Sequence, residues 1–169
     1  MKLSVAILAG GLGKRLGNLT KEVPKALIDI SGKPFIAYQL DYLRKEGFKN
    51  VTICSSYLSD KIKKYVGNGS RFDLKISYSE DGPKLLGTGG SIKKASKKQD
   101  SSFFILFGDT FLPINYSIIE KAFFNQSNPA LMTILKNYNQ WDKSNVHFEN
   151  NLVVYNKKKP KKYMKYIDY

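Results

Sequence analysis

Four separated stretches of this chain carry residue types suited to a phosphate-bearing ligand. The first is Leu8-Ala9-Gly10-Gly11-Leu12-Gly13-Lys14-Arg15-Leu16. Its glycines permit positive φ and let backbone lie close to a ligand. Successive N–H groups followed by two cations make a cradle for phosphates. It is not a P-loop, because Leu8 stands where a glycine is needed and Arg15 follows Lys14 where Ser or Thr is needed. Nor is it a dinucleotide loop: Gly11 and Gly13 fit, but the third glycine position holds Leu16. By itself the stretch also fits a plain strand–turn–helix junction.

The second is Val23-Pro24-Lys25, where proline fixes the local backbone and gives Lys25 a defined direction. The third is Leu86-Gly87-Thr88-Gly89-Gly90, which lets backbone approach a flat ligand. The fourth is Gly108-Asp109-Thr110, directly after an apolar run. A carboxylate at a strand mouth is costly to bury unless paired or on a cation. Asp109 is either a turn aspartate or a ligand for Mg²⁺, which takes one or two carboxylates plus phosphate oxygens. His147 is the sole histidine; it lies in a presumed hairpin strand and reads as structural. Cys54 lies in the apolar run after Val51 and reads as a buried structural thiol.

The elements that must position these residues can be read from periodicity. Residues 3–8 form a first strand. Phe35 to Glu46 is a helix stopped by Gly47. Val51 to Ser56 is a second strand, and Ser59 caps a short helix through Val66. Phe72 to Tyr78 alternates like a half-exposed strand. The second glycine cluster opens a helix from Ser91 to Lys98. Ser102 to Phe107 is apolar enough for a central strand, Tyr116 to Phe124 is helical, and Ala130 to Leu135 is another buried strand. Val146–Glu149 and Leu152–Tyr155 flank Asn150-Asn151 as a hairpin. Alternating strands and helices argue for an α/β fold with a doubly wound, mostly parallel sheet and a β-hairpin near the C-terminus. In such sheets ligands sit at the carboxyl ends of strands, so loops 8–16, 79–90 and 107–112 are expected to share one crevice.

Length and composition set the bounds. The 169 residues fit one domain, 1–169, and 42% hydrophobic content supports a core. The single cysteine excludes an internal disulfide framework. Lys2 leads straight into a strand, so no signal peptide is expected. No apolar run approaches the ~18 residues of a membrane span, so no membrane insertion is expected. The expected location is cytoplasmic. The formal charge of +14 suits a substrate bearing several phosphates. A basic nucleic-acid-binding module is an alternative, but its motifs are lacking.

In order and spacing, the 8–16 loop, Pro24-Lys25-Ala26-Leu27, Gly32-Lys33-Pro34, Leu86 to Gly90 and Phe107-Gly108-Asp109-Thr110 resemble the sugar-1-phosphate nucleotidyltransferases. Within them the Gly-Thr-Gly-Gly and Gly-Lys-Pro-Phe forms look most like the heptose 1-phosphate and mannose 1-phosphate guanylyltransferases. The resemblance spans residues 3–135. It implies a Rossmann-like nucleotidyltransferase fold and transfer of a nucleotidyl group from a nucleoside triphosphate, GTP favoured, to a sugar 1-phosphate for surface polysaccharide synthesis. It implies catalytic roles for Arg15, Lys25 and Asp109, with Asp109 on Mg²⁺. Leu8, Ala9, Gly10, Gly11, Gly13, Lys14, Glu80, Gly87 and Thr88 would bind the nucleotide, and Gly108 and Lys159 the sugar phosphate.

The chain departs from the family pattern in three ways. Lys14 replaces the usual Thr or Ser, Lys158-Lys159-Pro160 replaces Glu-Lys-Pro, and the family's C-terminal strands, helices and second metal-binding Asp are lacking. A fragment of a longer protein, a site completed by a partner, and a non-catalytic nucleotide-binding or regulatory domain of the same fold therefore all stay open, as does self-association into a homo-oligomer.

Overall fold

The computed structural model describes residues 3–13, 16, 17 and 19–169. By their contacts the residues fall into two compact units, 1–115 and 116–169.

The first unit is built on Ser4–Leu8 (β1), whose Val5, Ala6 and Ile7 are fully buried. It has strands on both sides, which is why the run is apolar without alternation. Asn50–Ser55 (β4) pairs with it in parallel, Val5 opposite Val51 and Leu8 opposite Cys54. Phe103–Phe107 (β6) pairs in parallel on the other side, Leu8 opposite Phe107. Lys75–Glu80 (β5) completes the sheet beside β4, giving the order β5-β4-β1-β6. The chain builds outward from β1 to β5 on one side, then returns to add β6 on the other. Loops leaving β1 and β6 diverge there and open a crevice at their carboxyl ends.

The helices of this unit are Leu19–Glu22 (α1), Phe35–Lys45 (α2), Ser59–Val66 (α3) and Gly87–Ser96 (α4). A small hairpin of Asp29–Ile30 (β2) and Lys33–Pro34 (β3) leads into α2. Helix α2 buries Ile36, Gln39, Leu40 and Leu43, one stripe at helical spacing. Gly47, at φ +85°, ends it in the left-handed region, and the Phe48 N–H closes onto the Leu43 carbonyl at 3.0 Å.

The second unit holds Tyr116–Phe124 (α5) and an antiparallel sheet of Ile134–Lys136 (β7), Val146–Glu149 (β8), Leu152–Tyr155 (β9) and Tyr166–Asp168 (β10). The order is β7-β10-β8-β9. The predicted hairpin is β8–β9, turning through Asn150 and Asn151 with φ of +50° and +61°. Asparagine tolerates that region, which suits a two-residue turn. No helix among the described residues is long and apolar enough to cross a membrane.

Five expectations are corrected. The strand expected over 72–78 begins at Lys75, because Ser70–Phe72 forms a 3-10 turn between Gly69 and Asp73, both left-handed. That turn, and not strand alternation, buries Phe72 and Leu74. Helix α4 starts at Gly87 and not Ser91, so the glycines form its first turn. Ser59 does not cap α3: Leu58 holds the cap position at φ +56°, and Ser59 Oγ lies 2.8 Å from Ser55 Oγ. Strand β6 stands at the edge of the four-stranded sheet, with Phe107 49% exposed. An apolar run reports a need for cover and says nothing of strand order. Of the strand expected over 130–135 only the end remains, as β7, and Leu131 and Met132 are exposed.

Candidate functional site

The crevice holds a cavity of about 280 Å³ at the carboxyl ends of β1, β4 and β6. All three expected loops line it. From the first come Leu8, Ala9, Gly10, Gly11 and Leu12. From the second come Asp81, Leu85, Gly87 and Thr88, with Ser91 directly after it. From the third come Phe107, Gly108 and Asp109, joined by Lys25, Ala26 and Cys54.

Backbone and small polar side chains set the loop after β1. The Ala9 N–H donates to the Cys54 carbonyl at 2.8 Å, continuing the sheet one residue past the strand. Ser56 Oγ donates to the Gly10 carbonyl at 2.6 Å, so the turn after β4 pins the loop. Its far side rests on Thr20, which is buried and donates to the Gly13 carbonyl at 3.2 Å. Gly13 has φ +62°, and a Cβ there would meet Thr20 Cγ2 at 2.6 Å. Gly13 is not part of the cavity lining, and Lys14 and Arg15 lie outside the described residues.

Gly108 is the tightest point. A Cβ there would meet the Leu8 carbonyl oxygen at 2.8 Å and Ala9 Cα at 2.9 Å, backbone that cannot rotate away. The Gly108 N–H donates to that same Leu8 oxygen at 3.0 Å. Gly108→Ala is expected to lower stability by about 2 kcal/mol, the cost of overpacking between two strand ends. Urea unfolding checks this, and an unchanged midpoint with an unchanged slope would refute the contact.

Lys25 sits at the head of a 3-10 turn, Lys25–Leu27, in which the Leu27 N–H reaches the Pro24 carbonyl at 2.8 Å and Ala26 is buried. From that frame Lys25 Nζ donates to Asp109 Oδ2 at 2.6 Å, across 84 residues of sequence. Both side chains are about a third exposed, 31% and 38%, so the pair adds little to stability. It sets a cation and an anion side by side on the cavity wall.

The second loop turns the cavity's other end acidic. Asp81 accepts from the Leu86 N–H at 3.1 Å and from Ser91 Oγ at 2.7 Å, holding the start of α4. Glu80 is not among the lining residues; it pairs with Lys63 at 2.6 Å. Hydrogen bonds from Lys63 and Ser59 hold its carboxyl below the usual carboxylate range. Cys54, on the cavity floor, has its thiol pushed up to about 11 by burial and by the Asp81 charge, which keeps it a thiol and not a nucleophile. Lys159 lies in the second unit, exposed, with its N–H on Asn156 Oδ1 at 2.9 Å. His147 lies in β8, its ring edge-on to Tyr163.

The family model described as nucleotidyl transferase matches residues 4–162. This chain belongs to the nucleotidyl transferase family. It is 38% identical over 141 residues to the D-glycero-alpha-D-manno-heptose 1-phosphate guanylyltransferase of Campylobacter jejuni, covering 83% of this chain and 61% of that protein. It is 40% identical over 115 residues to the protein of the same name from Aneurinibacillus thermoaerophilus, covering 67% and 49%. Its fold matches HddC from Yersinia pseudotuberculosis complexed with GMP-PN at a TM-score of 0.75, with 27% identity over 99% of this chain and 74% of that one. The chain thus spans about half to three-fifths of the length of the two curated relatives. Nucleotidyl transferases generally use a divalent metal.

Three positions of consequence carried no local signal. Ser56, Thr20 and Asp81 shape the loops; Thr20 and Asp81 lie within ten residues of the groups they hold, and Ser56 lies 46 residues from Gly10. A serine directly after a strand on the same sheet as the glycine loop is the one hint that sequence offers for Ser56.

Proposed function

We propose that this chain transfers a nucleotidyl group from GTP to a sugar 1-phosphate, in the cytoplasm, for surface polysaccharide synthesis. The observation that carries this reading is the cavity fed by three loops with Lys25 and Asp109 at 2.6 Å on its wall.

The roles follow from charge. The triphosphate belongs against the backbone of Leu8 to Gly11, Lys14, Arg15 and Lys25, where amides and cations face anions. Gly13 gives the loop its turn. The base belongs at the Asp81 end, against Gly87 and Thr88, where a carboxylate already occupies the start of α4 and repels phosphate. Glu80 supports that end through Lys63. Gly108 receives the sugar phosphate. A phosphate oxygen of the sugar 1-phosphate attacks the α-phosphorus in line. The bond from that phosphorus to the bridging oxygen breaks, and its electron pair leaves with pyrophosphate. Such transfer needs positioning and neutralised charge and no protein nucleophile. Asp109, whose Oδ1 lies outside its bond to Lys25, would hold Mg²⁺. The ion would supply charge neutralisation at the triphosphate.

A pyrophosphate-release screen of GTP, ATP, CTP, UTP and dTTP against several sugar 1-phosphates tests the reading. Release that needs both GTP and one sugar phosphate is expected. Saturable GTP and metal binding with no pyrophosphate would instead make the chain a binding domain of this fold. Binding that ignores nucleotides and falls steeply with salt would make it a nucleic-acid module.

A further inference from the structure

We infer that Gln39 is a positioning residue for Asp109, acting through the backbone of the turn that carries it. This rests on the reading of Asp109 given above. Gln39 lies on the buried stripe of α2 and is 4% exposed. Its Nε2 donates to the Phe107 carbonyl at 2.9 Å and to the Thr110 carbonyl at 2.7 Å. One carboxamide thus spans the two residues that flank Gly108-Asp109, reaching them across 68 and 71 residues of sequence.

The choice of side chain is informative. Gln39 Oε1 is buried and accepts no hydrogen bond among the described residues. An orphaned buried acceptor is unfavourable, and an apolar residue of the same size would remove it. Glutamine therefore fits this place for its two donors. Beyond the Gly108 N–H on the Leu8 carbonyl and Asp109 on Lys25, the turn is closed by the Thr110 N–H reaching the Phe107 carbonyl at 3.2 Å, at the long end of the ordinary range. Further along, the same helix holds the segment again, with Tyr42 OH on the Ile114 carbonyl at 3.2 Å and the Tyr42 ring edge-on to Phe111. Helix α2 acts as a splint for residues 107–114, and Gln39 is the part of it that touches the carboxylate's own turn. Bracing matters because a single carboxylate shared with mobile phosphates binds a metal only as well as its backbone holds it in place.

Gln39→Leu tests this in the full chain, with Gln39→Met as a second variant of similar volume and no donor. Three readouts are compared with the unsubstituted chain. Amide exchange at Thr110, referenced to Gly47 at the far end of α2, is expected to quicken at least about tenfold. Affinity for Mn²⁺ in the presence of a non-hydrolysable GTP analogue is expected to fall about tenfold. Affinity for that analogue in EDTA is expected to stay within about twofold, with a thermal midpoint within a few degrees. Exchange and Mn²⁺ affinity both within twofold would overturn the inference. So would an equal loss of metal-free binding, which would mark a general packing role. If the unsubstituted chain takes up neither analogue nor Mn²⁺, the function reading fails, and the Thr110 exchange rate alone decides for or against Gln39.

Discussion

Lys25→Ala is expected to lower kcat for pyrophosphate release about a thousandfold, close to 4 kcal/mol of lost transition-state stabilisation. The magnitude is that of a preorganised charge aimed at a reacting group. Lys25 is preorganised: Pro24 fixes the entry, the 3-10 turn fixes Cα, and buried Ala26 anchors the turn. Its Nζ already stands in the cavity wall at 2.6 Å from Asp109, so no reorganisation is needed as charge moves onto the leaving pyrophosphate. Lys25→Arg is not expected to rescue the rate, because a planar fork cannot occupy the place of a compact ammonium against one carboxylate oxygen. Removing Lys25 also frees Asp109, so metal affinity should hold or rise while turnover collapses. Steady-state rates with a metal titration check this pattern. Arg15→Ala is expected to act similarly, on the strength of the sequence alone. Near-normal kcat in both variants would refute the assignment.

The parts of this chain that were legible in sequence are those whose cause is local. Strand β1 shows as an unbroken apolar run because it is covered on both sides. Helix α2 shows because its buried stripe recurs at helical spacing and Gly47 ends it. The β8–β9 hairpin shows because Asn150-Asn151 can take positive φ. The crevice itself followed from topology: three loops leave the carboxyl ends of parallel strands, and the cavity is lined by all three.

What stayed hidden depends on register or on distant partners. Glu80 and Asp81 are adjacent, and alternation sends neighbouring side chains to opposite faces. Which of the two enters the cavity is fixed by the pairing of Ser55 with Glu80 and by the Asp81 N–H on the Ser55 carbonyl, neither of which is written near residue 80. Gln39 reads in sequence as a polar interruption of an apolar stripe; its meaning appears only when residues 107–110 arrive beside it. The glycines before Ser91 read as a loop because glycine is a poor helix former. Asp81 supplies the helix start from outside, and that contact cannot be seen in the helix's own residues.

Asp109→Asn separates charge from shape at the same site and is expected to lower kcat at least about a thousandfold. The amide keeps the size of the carboxylate and can still accept from Lys25, so the turn from Phe107 to Thr110 should hold with its bonds to Gln39. What disappears is the negative charge that a hard divalent cation requires. The consequence for binding has the opposite sign from that for rate. Without metal, the Asp109 carboxylate opposes a triphosphate entering the same cavity, and Lys25 is partly spent on neutralising it. Asp109→Asn removes the repulsion and leaves Lys25 to the phosphates, so GTP affinity in EDTA is expected to rise a few-fold. The gain in affinity that Mg²⁺ gives the unsubstituted chain should vanish in the variant. GTP titrations with and without Mg²⁺, beside pyrophosphate release, read all three effects. A variant that keeps kcat within threefold, or that still gains affinity from Mg²⁺ as the unsubstituted chain does, would place the metal on a residue other than Asp109.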